Sequence, residues 1–388
     1  MNYIVISPYY PENFQQFTIE LANKGIRVLG IGQEPYEQLG PGLQNALTEY
    51  FRVDNLENLD EVKRAVAFLF YKHGPIDRIE SHNEYWLEQD AQLREQFNVF
   101  GAKPNDLRKT KFKSEMKKLF QKAGVPVVPG QVVKKLSDVD QAVKKIGLPL
   151  IAKPDNGVGA AATFKIETAA DVEHFKAEWD QETIYFFEKF VTSSEICTFD
   201  GLIDSEGNIV FSTTFDYAYT PLDLMLYKMD NSYYILKEMD PKLRAYGEAI
   251  VQAFGMKERF FHIEFFRQDG DYIAIEYNNR PAGGFTIDVY NYAHSIDLYR
   301  GYANIVAGEP FPESDVEPLF CLATSRRASS HYAYSEADLL EKYRDNFKVK
   351  KDMPAAFAEL QGDYLYMLTT PSREQMEEMI ADFGKKAE

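Results

Sequence analysis

The sequence predicts an α/β protein, with a parallel α/β domain at its N-terminal end and α+β regions after it. Near the start, apolar runs alternate with helix-like runs, from YIVIS (3–7) through NFQQFTIELANKG (13–25) to IRVLGIG (26–32). Such strand–helix–strand order is typical of parallel sheets. Further on, residues 260–280 have the pattern of a strand, a tight turn and a second strand. The length of 388 residues predicts about two to four domains or subdomains, and the hydrophobic fraction of 45% is ample for a folded core.

Charge and cysteine content exclude several classes of protein. The chain has 43 basic and 60 acidic residues and a net charge of −17, so it lacks the broad basic surface of a nucleic-acid binder. Its two cysteines, Cys197 and Cys321, form no CxxC pair or disulfide framework, and we predict that both are buried thiols. No apolar run approaches the roughly 18 residues of a membrane span. We therefore expect a cytoplasmic protein with no nucleic-acid or membrane partner.

A first domain is predicted over residues 1–103. Two more helix–strand alternations follow the opening unit, at 60–81 and at 88–102. The loop after the first strand is SPYYPENF, so the GxGxxG fingerprint of dinucleotide binding is missing. An NAD-dependent enzyme is therefore not favoured.

Helices and strands also alternate after residue 104. A basic helical stretch at 105–124 ends at Gly124, and the prolines at 126 and 129 force an extended exit. The other predicted elements are a strand–glycine loop–strand unit at 148–166, two strands within 183–204, a helix at 241–255, a hairpin at 260–280 that turns at Asp269–Gly270, strands at 319–325 and 363–370, and a charged final helix from Pro371.

Side chains on the predicted hairpin indicate a metal site. Glu276 and Asn278 share one face of the second strand, because side chains alternate along a strand. If the hairpin closes near Gly270, Glu264 on the first strand comes close to Glu276. Two carboxylates and an amide oxygen are hard ligands of the kind that Mg²⁺ prefers. The alternative is two carboxylates on solvated strand faces, which is the simpler explanation for Glu264 alone.

Basic and glycine residues near the hairpin indicate an anion site. Arg280 follows Asn278 on the same face, and its planar guanidinium suits phosphate or carboxylate, although a salt bridge to a neighbouring acid would also use it. Gly283 and Gly284 permit a ligand to approach the backbone closely. Lys153 ends an apolar strand before a glycine-rich loop, as in a phosphate cradle, but a strand-end lysine is also common on a plain surface.

Two further motifs are weak when taken alone. Lys113 lies on a lysine-rich helix, where the simple explanation is a solvated face. EKFV (188–191) places a charged pair among aromatic and apolar residues, as the edge of a core would. Their order along the chain, together with the lysine strand and the carboxylate hairpin, is more informative than any one motif.

That order resembles the ATP-grasp superfamily over about residues 104–308. KSEMKKLFQKAGVPVVPG (113–130) is similar to the family's lysine-led helix with its proline exit, and IAKPDNGVGAAAT (151–163) is similar to the strand lysine and the glycine loop over the ATP phosphates. EKFVTSSE (188–195) resembles the hinge that binds adenine. HIEFF and EYNNR resemble the two strands that carry the metal carboxylates.

The resemblance implies a role for each matching residue. Those implied in ATP binding are Lys113, Lys153, Gly157, Gly159, Glu188, Lys189, Val191 and Glu195. Within this set, the Lys189 carbonyl and the Val191 amide would bond adenine, with Glu188 beside the base, and Glu195 would bind the ribose hydroxyls. Those implied in metal binding are Glu264, Glu276 and Asn278, and Arg280 and Lys153 would act on the reacting phosphoryl group. Ala160, Ala161 and Ala162 depart from the serine and glycine of many members, so hydroxyl contacts to phosphate are lost there.

The resemblance also implies an architecture. It implies a two-part ATP-grasp core at 104–308, with a mobile lid at about 125–187, and a small C-terminal α+β domain at 309–388. The substrates would lie between the core and the flanking domains. Candidate segments are ESHNE (80–84), FDYAYTPLDLMLY (215–227) and SRRASSHY (325–332), in which Arg326 or Arg327 could hold a second carboxylate; a structural role is the simpler explanation for each of these.

The activity that the resemblance implies is ATP- and Mg²⁺-dependent ligation. A substrate carboxylate would be activated as an acyl phosphate and coupled to an amine, with ADP and phosphate as products. Two Mg²⁺ ions are implied, with Mn²⁺ as an alternative ion, and the partners would be a small carboxylate, a small amine and, as in many relatives, a second copy of the chain. Two alternatives stay open: a carboxylase-like enzyme that activates bicarbonate, and a nucleotide-binding regulator without turnover.

Overall fold

A computed structural model gives the structure of the chain and describes every residue except 157–161, 193, 194, 220–223, 225–228, 355–357, 359, 360 and 388. Its described residues form a parallel sheet near the N-terminus and two antiparallel sheets after it. The predicted α/β class, with a parallel N-terminal domain followed by α+β regions, is confirmed. Within the described part of the chain, no helix is both long and apolar enough to cross a bilayer.

The N-terminal sheet has four parallel strands in the order β3-β2-β1-β4. Its elements are β1 (Asn2–Ile6), α1 (Gln15–Asn23), β2 (Arg27–Gly32), α2 (Pro41–Ala46), β3 (Leu47–Arg52), α3 (Leu59–His73), β4 (Arg78–Glu80) and α4 (Leu87–Gln96). Strands β1 and β2 are almost wholly buried, because helices cover both faces of the sheet. This burial explains why their sequences are continuous apolar runs.

The strand predicted within 99–102 does not form. Gly101 has φ +115°, in the left-handed region, and a Cβ there would lie 2.9 Å from the Arg94 side chain. Arg94 also donates to the Ala102 carbonyl at 3.1 Å, so this stretch wraps a buried guanidinium. The fourth strand is instead β3, whose side chains are mostly half-buried or exposed. The sequence missed it because an edge strand of this kind has no continuous apolar run.

The basic helical stretch forms two helices, and a small antiparallel sheet follows it. The break between the helices is Phe112, whose φ of −90° and ψ of 115° are extended. The sheet order is β5-β8-β6-β7, and two helices pack beside it. These elements are α5 (Pro104–Lys111), α6 (Lys113–Lys122), β5 (Gly130–Val133), α7 (Leu136–Ile146), β6 (Leu150–Pro154), β7 (Phe164–Ile166), α8 (Ala169–Glu178) and β8 (Tyr185–Lys189). They cover most of the predicted lid, whose movement stays a prediction.

The largest sheet is antiparallel and runs in the order β14-β13-β9-β11-β12-β15-β17-β16, with β10 also paired to β9. Its strands are β9 (Ile196–Ile203), β10 (Ile209–Thr213), β11 (Phe215–Tyr217), β12 (Ser232–Ile235), β13 (Arg259–Gln268), β14 (Asp271–Asn278), β15 (Phe320–Arg326), β16 (Phe347–Asp352) and β17 (Tyr364–Thr370). The remaining helices are α9 (Pro241–Phe254), α10 (Thr286–His294), α11 (Leu298–Val306), α12 (Glu336–Lys342) and α13 (Arg373–Gly384). Because β15 pairs with β12, the predicted C-terminal domain continues the sheet of the core. The domain boundaries at 103 and 308 stay predictions.

The predicted hairpin is confirmed as β13 and β14. Its turn residues, Asp269 and Gly270, have φ values of 53° and 74°. Two successive residues with positive φ are typical of the turns that join adjacent antiparallel strands. From the turn the strands pair regularly as far as Phe265 and Ala274, and a register shift between Phe265 and Glu264 then places Glu264 opposite Glu276.

Buried ion pairs join the N-terminal sheet to the largest sheet. Glu80, at the end of β4, accepts from Arg94 at 2.7 Å and from Arg259 of β13 at 2.6 Å. Arg78 forms a second link through two bonds to Glu258, at 2.5 and 2.9 Å. All of these side chains except Arg78 are nearly excluded from solvent. Separating the N-terminal sheet from the largest sheet would therefore break buried ion pairs, at a large cost in free energy.

We predict that Glu80→Gln destabilises the protein by about 3–5 kcal/mol, because it removes the buried carboxylate that Arg94 and Arg259 share and leaves Arg94 only the more distant Asp90, at 3.9 Å. Urea unfolding followed by circular dichroism measures this change. The control is Glu309→Gln, which breaks the half-exposed Lys24–Glu309 pair and is expected to cost no more than about 1 kcal/mol. Equal effects of the two substitutions would contradict the prediction.

Candidate functional site

The candidate site lies where the N-terminus of α6 meets the β13–β14 hairpin. Lys113, the first residue of α6, places its Nζ 3.8 Å from Oε1 of Glu276. The break at Phe112 allows this: the Lys113 amide donates to the Asp155 carbonyl at 2.9 Å, and Ser114 bonds the Asp155 carboxylate through its amide and its hydroxyl. Asp155 thereby ties the helix to the end of β6.

The three predicted metal ligands lie together on the hairpin. Glu264 and Glu276 are directly opposite each other in the antiparallel register, and Asn278 lies opposite His262. Burial raises the pKa of Glu276; Lys113 opposes this effect and Glu264 adds to it. A cation between the two carboxylates would relieve their repulsion.

The chemistry of this donor set fits Mg²⁺. In the described part of the chain, no three His, Cys, Asp or Glu side chains gather as a metal-binding group. A cation here would therefore be held by two carboxylates, the Asn278 amide oxygen and oxygens from a ligand. Mg²⁺ is commonly bound in this way, through one or two carboxylates together with substrate phosphates.

A buried histidine supports Glu264, and sequence analysis missed it. His262 Nδ1 lies 2.6 Å from Oδ1 of Asp200, and its Nε2 lies 3.5 Å from Oε1 of Glu264. Tyr217 donates to the same Glu264 oxygen at 3.2 Å. Burial lowers the pKa of His262, but Asp200 outweighs it and raises that pKa to about 9. Two signals could have revealed this group: an aspartate within the apolar strand CTFDGLI, and a histidine two residues before Glu264.

Lys153 pairs with Glu188, and a second lysine joins them. Lys153 Nζ is 3.0 Å from Oε1 of Glu188, and Lys117 Nζ is 2.9 Å from Oε2. Burial raises the pKa of Glu188, but Lys153 and Lys117 outweigh it and lower that pKa to about 2. Sequence analysis did not single out Lys117. The available signal was its spacing, since Lys117 follows Lys113 by four residues and so shares its helix face.

The residues predicted to bind the adenosine part are spread along the end of β8. The Lys189 amide donates to the Pro129 carbonyl at 3.0 Å, and its side chain donates to the Leu148 carbonyl at 3.0 Å. Val191 follows in a half-buried loop. Glu195 is exposed and lies 3.5 Å from Arg267 of β13. Gly157, Gly159, Ala160 and Ala161 lie outside the described residues, so their predicted contacts with phosphate stay predictions.

Arg280 contacts the N-terminal domain. Its Nε donates to Oε2 of Glu84 at 2.9 Å, which brings the candidate segment ESHNE to the end of β14. Gly284 has φ +66°, a conformation that favours glycine, and its carbonyl accepts from Asn13 at 3.1 Å. Among the described atoms, none lies within 4 Å of a Cβ built on Gly283. Gly283 therefore leaves room for a ligand beside Arg280, whereas a Cβ on Gly284 would lie 3.3 Å from Oε1 of Gln361.

Of the other two candidate segments, the aromatic loop reaches this site through the bond from Tyr217 to Glu264, whereas the arginines of SRRASSHY make other contacts. Arg326 is buried and donates to the carbonyls of Phe383 and Tyr334, at 3.1 and 2.9 Å, which gives it a structural role. Arg327 donates to the Met229 carbonyl at 3.4 Å. Of the aromatic loop 215–227, residues 220–223 and 225–227 lie outside the described residues.

Comparison with known proteins agrees with this geometry. Residues 145–288 match the family model of the ATP-grasp domain. A relative in Bacillus subtilis named L-arginine-specific L-amino acid ligase is 25% identical over 322 residues, which cover 76% of this chain and 75% of that protein. An L-amino acid ligase structure from Bacillus licheniformis superposes with a TM-score of 0.71 at 14% identity, over 98% of this chain and 97% of that one.

A structure of a different activity is equally close in fold. The biotin carboxylase domain of 2-oxoglutarate carboxylase from Hydrogenobacter thermophilus, in complex with MgADP and bicarbonate, has a TM-score of 0.73 at 16% identity, over 98% of this chain and 89% of that one. These findings confirm the fold and the resemblance on which the sequence analysis relied. Residues 145–288 of the chain therefore match an ATP-grasp domain.

The histidines provide a test of the site's electrostatics. In protein freed of metal by a chelator, we predict a midpoint near 9 for His262, whereas burial lowers the pKa of His82 and His294 to about 4. The favourable contribution of His262 to stability is thus complete below pH 6.5, its unfolded value, and is lost as the pH rises through 9.

Histidine side-chain NMR across this pH range makes the measurement, with Asp200→Asn as the comparison. The substitution should remove the midpoint near 9 and leave those of His82 and His294 unchanged. If no histidine of the wild-type protein titrates above about pH 8, where an unperturbed histidine is neutral, the described Asp200–His262 contact is wrong.

Proposed function

We propose that the protein is an ATP- and Mg²⁺-dependent ligase that activates a carboxylate as an acyl phosphate and couples it to an amine. One observation carries the proposal. Two lysines and an arginine from three separate segments, Lys113, Lys153 and Arg280, surround a hairpin that places two carboxylates and an amide on one face. Cations that suit phosphates and oxygens that suit Mg²⁺ are thus arranged around one space.

The chain's own residues would bind and orient the reactants. Lys113 and Lys153 would hold the phosphates of ATP, with the backbone at Gly157 and Gly159. Lys189, Val191 and Glu195, beside Glu188, would bind the adenosine part. Glu264, Glu276 and Asn278 would hold Mg²⁺, which when bound neutralises charge on the phosphates. Two such ions, or Mn²⁺ in their place, and a homodimer are finer parts of the same proposal.

The reaction would proceed in two steps, formation of an acyl phosphate and its attack by an amine. A carboxylate oxygen attacks the γ-phosphorus of ATP, the bond from that phosphorus to the ADP oxygen breaks, and an acyl phosphate and ADP result. An amine nitrogen then attacks the acyl carbon, the bond from that carbon to the phosphate oxygen breaks, and the nitrogen loses a proton. Arg280 would hold the acyl phosphate, and the lid would exclude water that otherwise hydrolyses it.

Amino acids are the first substrates to test. The relative in Bacillus subtilis is named as an L-arginine-specific L-amino acid ligase, which supports an α-amino acid as the carboxylate or as the amine. The alternative is activation of bicarbonate, which the fold similarity to a biotin carboxylase domain bound to bicarbonate favours. A regulator without turnover is less favoured, because the charged residues of both the metal set and the phosphate set are retained.

The experiment is ADP release from MgATP, screened with single amino acids, amino-acid pairs, small diacids and bicarbonate. A ligase releases ADP only when a carboxylate and an amine are both present, and mass spectrometry then identifies the amide product. Release with bicarbonate alone would favour the alternative. Tight ATP binding without ADP release under any condition would contradict the proposed activity.

We predict that Glu276→Gln lowers kcat at least about 100-fold, because one of the two metal carboxylates is lost; this corresponds to roughly 2.7 kcal/mol of activation free energy. The measurement is substrate-dependent ADP release at saturating MgATP. Asp271→Asn is the matched control, since Asp271 begins the same strand and pairs at the surface with Lys242. Unchanged kcat in Glu276→Gln would remove Glu276 from the metal site.

A further inference from the structure

Glu188 is a buried carboxylate shared by two lysines. Its side chain is 9% exposed, and its two oxygens lie 3.0 Å from Lys153 Nζ and 2.9 Å from Lys117 Nζ. Lys117 is equally buried, with 9% of its side chain exposed, and Lys153 is 22% exposed. Two positive charges therefore surround one negative charge in the described structure.

The three residues come from different parts of the fold. Lys153 and Glu188 lie on the paired strands β6 and β8 of the small sheet. Lys117 lies on α6, one helical turn after Lys113, and reaches Glu188 across the boundary between α6 and the small sheet. The Lys117–Glu188 pair is thus a buried contact between α6, which begins at Lys113 in the candidate site, and the small sheet, most of which lies in the predicted lid.

The two lysines have different tasks if Lys153 binds a phosphate of ATP. The Lys153 ammonium group would then donate its hydrogen bonds to the phosphate. Glu188 would lose one of the two positive charges that offset its negative charge. A buried carboxylate without a partner is strongly unfavourable. Lys117 can remain with Glu188, because α6 positions it independently of Lys153.

We propose that Lys117 is a positioning residue for nucleotide binding: it holds and compensates Glu188, so that Lys153 becomes available to the phosphates of ATP. This inference rests on the proposed function, since it requires that ATP binds beside Lys153. Lys117 itself touches neither the nucleotide nor the reacting atoms in this account. Without Lys117, Glu188 remains paired with Lys153 and competes with the phosphates of ATP for its ammonium group.

A purely structural role for Lys117 would have a different consequence. Breaking a buried ion pair would lower the stability of the protein, but the molecules that remain folded would bind nucleotide with unchanged affinity. The two roles are therefore separated by the dissociation constant for nucleotide, measured on protein whose folding has been checked by circular dichroism and thermal unfolding.

The experiment compares Lys117→Met with the wild-type protein by calorimetric titration of MgATP, MgADP and adenosine. We expect the Kd for MgATP and MgADP to rise about tenfold or more, a difference that titration resolves readily. The Kd for adenosine should change little, because adenosine has no phosphate for Lys153. Lys118→Met is the matched control: Lys118 is the next residue of α6, is 67% exposed and pairs with Glu115 at 2.8 Å. It should bind all three ligands like the wild type.

Further variants complete the test. Lys117→Arg keeps the charge and should restore most of the affinity. In a Glu188→Gln background, Lys117→Met should change the Kd for MgATP less than about twofold, because no carboxylate remains to compete for Lys153. If Lys117→Met does not fold, Lys117→Gln takes its place in the comparison with the wild-type protein. The double variant is still compared with Glu188→Gln alone.

Three results would overturn the inference. The first is a folded Lys117→Met or Lys117→Gln variant with wild-type affinity for MgATP. The second is an equal loss of affinity in the Glu188→Gln background. The third is an equal loss of affinity for adenosine and for MgATP. If the wild-type protein itself fails to bind MgATP, the proposed function fails together with the inference, and that result is recognised before any variant is made.

Discussion

Compensation of buried charge is the constraint on which this site depends. The cations near the hairpin each lie close to a carboxylate of the protein: Lys113 to Glu276, Lys153 to Glu188, and Arg280 to Glu84. The same arrangement joins the N-terminal sheet to the largest sheet through Glu80. In a medium of low dielectric constant, neither member of such a pair can be left alone without a large cost in free energy. Under the proposed function, the phosphates of ATP would enter this site by taking over these cations, and a metal ion would offset the charge of the carboxylates that the cations leave.

The backbone determines which charges meet. The helix break at Phe112 directs Lys113 toward β14. The tight turn at Asp269–Gly270, together with the register shift between Phe265 and Glu264, sets Glu264 opposite Glu276. His262 then contacts Glu264 from the same strand, and its own orientation is held by Asp200 on the neighbouring strand. Local sequence thus positions single residues, whereas sheet pairing brings distant ones together. The mechanism we propose requires both, because one reacting phosphoryl group must be contacted from a helix, two sheets and a loop.

The sequence predicted those features that have a local signature. Continuous apolar runs identified β1 and β2, the Asp269–Gly270 turn identified the hairpin, and alternation along a strand placed Glu276 beside Asn278. Other features were not predictable because they depend on tertiary contacts. The edge strand β3 has no apolar run, residues 99–102 wrap the Arg94 guanidinium, and Phe112 breaks a stretch of high helix propensity. The pairings of the site residues also belong to this group: Lys117, Asp200 and the ESHNE segment each leave a trace in the sequence, but which residue each one contacts is set by the tertiary fold.

Transfer of oxygen from the carboxylate to phosphate tests the central claim most directly. The carboxylate substrate found by the ADP-release screen is labelled with ¹⁸O in its carboxyl group and incubated with MgATP and the amine. The isotope shift in the ³¹P NMR spectrum of the released phosphate then reports where its oxygen came from. The account predicts that each phosphate carries one oxygen from the carboxylate, because that oxygen attacks the γ-phosphorus and stays with it when the amide forms. Phosphate that carries no label, formed together with ADP, would show that water and not the carboxylate attacks ATP, and would contradict the account.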